Sequence, residues 1–255
     1  MEQKNKENII YQDERKIVYK EGKKAIKTFN DTYDISQILN EALNQAKIVE
    51  AGINAPAVYE VKKINDRNGI VMDFIDGKNV EELINKNKND EEKYIDLFAK
   101  AYHEMTQNKN LSLNNSYGRI KNKIFSSELP MNLKYGLFYK LREMEFARDV
   151  IHGDYTFSNV IVSNDGKIFI LDWSHVAYGA KEFDIAITYA LFELQGRKDL
   201  GDMYLKKLKA FEDVDESQVI KVLILAYIYI VDRYDEATRK NIYGKINEII
   251  KNEEA

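Results

Sequence analysis

Between Val150 and Trp173 the chain reads VIHGDYTFSNVIVSNDGKIFILDW, and four polar residues punctuate this β-prone stretch: His152, Asp154, Asn159 and Asp172. Their spacing is H-x-D-x(4)-N-x(12)-D. Each alone has an ordinary explanation, since a loop aspartate caps a turn, an asparagine fills one, and Asp172 could close a hairpin. Together, Asp154, Asn159 and Asp172 form a set of hard oxygen donors. Such a set suits Mg²⁺, a cation held by one or two protein side chains plus phosphate oxygens and water. The chemistry implied is phosphate transfer. His152 is expected to anchor the loop through hydrogen bonds, with no part in moving a proton.

The elements around these residues must bring them to one place. Val160–Val162 and Ile168–Leu171 read as strands joined by SNDGK, a strong hairpin signal because Asp-Gly tolerates positive φ. A hairpin returns the chain to its starting edge, so Asp154, Asn159 and Asp172 are expected at one mouth. The separation matches a kinase catalytic loop followed by its metal-binding aspartate. Phosphoryl transfer also needs positive charge on the nucleotide phosphates. KKAIKTF carries Lys27 after Ala25-Ile26, like the kinase V-A-I-K element, and Glu41 lies beside Ile38 and Ala42 on the following helix, where it could pair with Lys27.

The rest of the chain divides by periodicity. Residues 7–29 read as three short antiparallel strands with turns near Asp13–Arg15 and Glu21-Gly22. A helix follows, with Ile35, Ile38, Leu39, Ala42, Ala46 and Val49 at helical spacing, capping candidates at Asp31, Thr32 and Asp34, and Gly52 as its stop. AVYEVKKI and NGIVMDFI read as two more strands around a turn at Asn65–Asn68, and Asp76-Gly77 breaks the pattern. The fold class expected is α+β: a small antiparallel sheet lobe with one helix, residues 1–75, then a larger, mostly helical lobe, residues 76–255.

Composition bounds the remaining possibilities. The 255 residues allow one or two domains, and 44% hydrophobic with 31% charged residues describes an ordinary globular chain. A net charge of -4 argues against nucleic acid as an obligate partner. There are no cysteines, which rules out disulfides and thiolate metal sites and points to an intracellular, cytoplasmic location. MEQKNKENII has no apolar core for a signal peptide, and the longest apolar run, Val222–Val231, is too short to span a bilayer. A membrane is not expected as a partner. The run reads as a buried helix.

The sequence resembles the aminoglycoside phosphotransferase and choline kinase-like family, small-molecule kinases of protein-kinase-like fold. The resemblance rests on KAIKTF, NEALNQAKIVEAGINAPAVYEV, IVMDFIDGKNVEELI, HGDYTFSNVIV and ILDWSHVAYGAKEFDIA, in family order. It implies a two-lobed protein-kinase-like fold, with Asp154 as catalytic base, Asn159 and Asp172 as Mg²⁺ ligands, and Lys27 with Glu41 as the phosphate-positioning pair. It further implies a hinge at VMDFIDG, where the Asp73 carbonyl and Ile75 N–H would meet adenine, and a structural Asp184. The chain departs from the family in two places. YQDERKIVYKEG lacks a glycine-rich phosphate loop, and Thr156–Asn159 stand where relatives carry a His-Pro-Gly-Asn-like loop.

A protein kinase would place a long activation segment ending in A-P-E after the metal aspartate. Only WSHVAYGAKEF separates Asp172 from Asp184 here. The expectation is therefore a Mg²⁺-dependent transfer of the γ-phosphoryl group of ATP or GTP to a hydroxyl of a small molecule. The acceptor and the oligomeric state are not readable. Two alternatives stand beside it. One is a non-catalytic pseudokinase or nucleotide-binding module, which the missing glycines favour. The other is a metal-dependent hydrolase of phosphate esters, which leaves Lys27, Glu41 and the hinge unexplained.

Overall fold

A computed structural model describes residues 8–108, 111–144, 146–211 and 214–254. Residues 1–7, on which the reading of the N-terminus rests, lie outside the described residues. Two compact units are present among the described residues: one takes in 8–83, 111–112 and 157–175, and the other takes in the rest.

The first unit opens with the meander that the alternating residues predict: β1 (Ile9–Gln12), β2 (Lys16–Glu21) and β3 (Lys24–Phe29). Then come α1 (Ile35–Glu50), β4 (Val58–Ile64) and β5 (Arg67–Asp73), completing an antiparallel sheet of order β1-β2-β3-β5-β4. Asp34 precedes α1, and its N–H donates to Gln37 Oε1 at 2.9 Å, tying down one end of the helix. At the other end Gly52 takes φ +83°, the left-handed conformation that glycine adopts without steric cost. The β4–β5 turn is tighter than expected. Asn65 and Asp66 alone make it, both at positive φ, and Arg67 is already in the strand. A buried cluster of Phe29, Ile38, Ala42 and Ile70, flanked by Tyr33, Val58 and Val61, fastens α1 to the sheet.

Gly77 does not break the pattern but starts a short strand, β6 (Gly77–Asn79). A Cβ at Gly77 would lie 2.7 Å from Ser163 Cα and run into the Val162 carbonyl, so only glycine lets these backbones pair. After β6 the chain runs through α2 (Val80–Lys86), α3 (Glu91–Thr106), α4 (Tyr117–Ser126), α5 (Met131–Arg142) and β7 (Asp149–Ile151). The predicted hairpin follows as β8 (Val160–Ser163) and β9 (Ile168–Ile170), with Gly166 at φ +84° in its turn. β6 pairs with β8, making this a three-stranded sheet of order β6-β8-β9 within the first unit.

The second unit continues with β10 (Ala177–Gly179), α6 (Lys181–Leu194), α7 (Lys198–Leu208), α8 (Glu216–Ile230) and α9 (Glu236–Glu254). β10 pairs antiparallel with β7. The apolar run in α8 is a buried helix, with Val222 through Ile230 all enclosed. α6 is buried from Phe183 to Phe192, and the two helices pack on each other as the centre of this unit. No described helix is long and apolar enough to cross a membrane.

Candidate active site

In the first unit, strand periodicity places Lys27. Ala25, Lys27 and Phe29 alternate onto one face of β3, and Phe29 packs against Ile38 and Ala42 of α1. Lys27 therefore meets the helix one register step away, where Glu41 is on the buried side. The Lys27 ammonium lies 2.5 Å from Glu41 Oε1, with both residues 5% exposed. It also lies 3.1 Å from Asp172 Oδ1. Asp172 Oδ2 is 2.7 Å from the Lys16 ammonium. Two lysines and two carboxylates thus form one partly buried chain of charge.

The electrostatics follow from that chain. Burial opposes the charge on Lys27, but Asp172 and Glu41 outweigh it and hold the ammonium above its ordinary pKa. Burial also opposes the Asp172 charge, and Lys27 and then Lys16 reverse it, keeping the carboxyl well below the usual range. For Glu41, burial wins over the attraction of Lys27, and its pKa is raised. Asp172 further sits at φ +60°, a conformation that costs a side-chain-bearing residue on the order of 1 kcal/mol. Unlike Asn65 and Asp66, it is not in a hairpin turn. Its carboxylate meets the two lysines two residues past the end of β9.

Asn159 ends a 3-10 turn, Phe157–Asn159, and its carbonyl accepts the Leu171 N–H at 2.8 Å. The residue before Asp172 is thereby fastened to the residue before β8, as the hairpin predicts. Asn159 and Asp172 offer an amide and a carboxylate oxygen. Among the described residues no group of three or more His, Asp or Glu side chains could cage a metal by itself. This donor chemistry fits Mg²⁺ shared with phosphate oxygens. Asp73 ends β5; its N–H donates to Ala57 O at 3.0 Å, and its carboxylate accepts from Ala57 N–H and the Tyr59 hydroxyl. Ile75 follows in the connector to β6.

Asp154 belongs to the second unit, in the loop after β7. That loop is pinned from below by Asp184 in the first turn of α6, fully buried. Its Oδ2 accepts His152 N–H and its Oδ1 accepts Gly153 N–H, each at 2.7 Å. Burial pushes the Asp184 carboxyl up, against His152 and these two amides, which favour its ionised form. His152 is enclosed, and its Nδ1 accepts the Asp154 N–H at 3.2 Å, the anchoring role expected of it. Tyr155 is buried as well, its hydroxyl donating to Phe98 O at 2.8 Å, while Thr188 Oγ1 donates to Tyr155 O. The Tyr-Thr-Phe-Ser stretch thus supplies an anchor and a 3-10 turn.

The chain matches the model of the phosphotransferase enzyme family over residues 131–217. No curated protein matches it by sequence. Among solved structures it is similar to a choline kinase of Streptococcus pneumoniae at a TM-score of 0.67 and 13% identity, covering 96% of this chain and 92% of that one. A choline/ethanolamine kinase family protein of Mesorhizobium loti gives 0.67 at 11% identity, covering 94% and 86%. An aminoglycoside phosphotransferase of Streptomyces rimosus, solved with ADP and streptomycin, gives 0.60 at 12% identity, covering 84% and 90%. The chain shares the fold of these kinases.

Two residues at the site are placed by the structure and were not singled out by the sequence. Arg233, in the 3-10 turn Val231–Arg233 after α8, donates from Nη1 to Asp154 Oδ1 at 2.6 Å and from Nη2 to Gly153 O at 2.9 Å. Its guanidinium stands 5.1 Å from the Tyr229 ring centroid. Lys16 is the second, at the start of β2. Neither belongs to a motif, and both find their partners across long stretches of chain. The only sequence signal was the charge itself, beside apolar runs.

Proposed function

We propose that the protein transfers the γ-phosphoryl group of ATP or GTP, with Mg²⁺, to a hydroxyl of a small molecule. In this reading residues 1–75 form the nucleotide-binding lobe, and residues 76–255 carry the catalytic loop and the acceptor site. The observation that carries it is the Lys27–Glu41–Asp172 charge chain, in which a buried lysine is locked between a helix carboxylate and the residue after the hairpin. The three come from separate parts of the sequence, and a merely structural ion pair would need only two of them.

Lys27 would hold nucleotide phosphate oxygens, with Glu41 fixing its direction. Asn159 and Asp172 would hold Mg²⁺, which supplies charge neutralisation on the phosphates. The Asp73 carbonyl and Ile75 N–H would meet the adenine edge. Asp154 would orient the acceptor hydroxyl and take its proton as the oxygen–phosphorus bond forms and the bond to the nucleoside diphosphate breaks. Arg233, donating to Asp154 Oδ1, would hold that carboxylate in position. Most of the acceleration would come from positioning, since a loose phosphoryl transition state asks little covalent work of the protein.

The test is nucleotide consumption in the presence of aminoglycosides, choline, sugars and amino-alcohols. We expect ADP or GDP release that depends on one acceptor class. Asp154→Asn is expected to lower it by at least about 100-fold, the usual scale for a removed general base, while nucleotide binding measured by calorimetry stays unchanged. Full turnover in that variant removes Asp154 from the role. A nucleotide-binding module without turnover is the second reading, and the turn between β1 and β2 favours it, because that turn carries no glycine. Nucleotide binding with no acceptor-dependent release under any condition would select it.

A further inference from the structure

The turn between β1 and β2 is closed by its own side chain. Asp13 Oδ1 accepts the N–H groups of Arg15 and Lys16 at 2.7 and 2.8 Å, and its Oδ2 accepts the Tyr11 hydroxyl at 2.8 Å. In a glycine-rich phosphate loop such backbone amides face the nucleotide. Here they are spent on a carboxylate, and the same carboxylate would repel an approaching phosphate. With the Arg15 and Lys16 amides taken, a phosphate contact from this hairpin falls to a side chain.

Lys16 is the side chain in position. Its ammonium and that of Lys27 cover the two oxygens of Asp172, at 2.7 and 3.1 Å. The two lysines are held very differently. Lys27 is buried and has Glu41 as a second, shorter partner. The Lys16 side chain is 21% exposed, and Asp172 is its one ion-pair partner among the described residues. A divalent cation taking Asp172 would strip Lys16 of that counter-charge, and Lys27 would stay where Glu41 keeps it. Lysine carries its charge on a flexible stem with rotatable donors, so it can follow the charge to a nearby phosphate oxygen.

We infer that Lys16 is a nucleotide-phosphate ligand that rests on Asp172 as a stand-in cation and passes to the phosphates when magnesium nucleotide binds. It replaces by one side chain what a glycine-rich loop supplies by backbone. This rests on the phosphotransferase reading, and it makes two opposed predictions for one substitution. Lys16→Met weakens binding of MgAMP-PNP about tenfold or more, the scale of a lost charge-assisted hydrogen bond. The same variant binds Mn²⁺ alone several-fold more tightly, because the cation no longer has an ammonium to displace.

Calorimetry with MgAMP-PNP and electron paramagnetic resonance with Mn²⁺ read the two effects separately. Lys16→Arg, which keeps the charge, is expected to recover most of the nucleotide affinity, and thermal melting shows that each variant is folded. MgAMP-PNP affinity within twofold of wild type in Lys16→Met overturns the inference. Unchanged or weaker Mn²⁺ binding overturns the stand-in role. Failure of the wild type itself to bind MgAMP-PNP overturns the phosphotransferase reading and this inference with it, whereas binding that survives in Lys16→Met overturns this inference alone.

Discussion

At the residue scale, the charge chain of Lys16, Asp172, Lys27 and Glu41 sets how the protein responds to acid. The folded state holds Asp172 well below the ordinary carboxylate pKa, which is about 4 in an unfolded chain. Its stabilisation is therefore complete above that value and is lost as pH falls through the lower, folded one. Glu41 works in the opposite sense, because its raised pKa favours the protonated form as pH drops. We expect the urea midpoint of the metal-free wild type to exceed that of Asp172→Asn at pH 7, and the gap to shrink below about pH 4. Asparagine tolerates the left-handed backbone here, so the comparison isolates the charge. A gap constant down to pH 2 would refute the linkage. Lys27 and Glu41 were legible beforehand because each lies on a strongly periodic element whose buried face is evident. Arg233 and Lys16 were not. Surface-type charges at the ends of elements look alike in a sequence, and only the folded chain brings Arg233 to Asp154.

At the element scale, the segments that carried a period or a turn signal could be read and those with neither could not. The meander, α1, the β4–β5 pair and the β8–β9 hairpin follow from alternation, caps and turn residues. β6, β7 and β10 have three residues each, too few to show a period, and they exist because neighbouring strands complete their hydrogen bonds. Gly77 shows the point: Asp-Gly looked like a breaker, yet the glycine is required for β6 to approach β8. Gly77→Ala is predicted to destabilise the fold by about 1–3 kcal/mol, the usual cost of an inserted methyl group in a packed site, measured by urea unfolding. Since β8 leads from Asn159 and continues through the hairpin to Asp172, the same variant should also weaken magnesium nucleotide binding. A stability equal to wild type would show that the backbones can part without cost.

At the scale of the whole molecule, the residues proposed for nucleotide and metal lie in one compact unit, drawn from three stretches of chain, while Asp154, Arg233 and Asp184 lie in the other. The fold class was legible because its motifs occur in order along the sequence. The acceptor was not legible, since helical residues that would line its site differ in no visible way from ordinary helix surfaces. The central claim is magnesium-dependent nucleotide binding through Asp172, and calorimetry with ATP and GTP, with and without Mg²⁺, tests it most directly. We predict binding of at least one nucleotide that requires Mg²⁺ and weakens at least about tenfold in Asp172→Asn, a change of roughly 1.4 kcal/mol. Affinity that is the same without Mg²⁺ and in Asp172→Asn, or no binding of either nucleotide, would contradict the account.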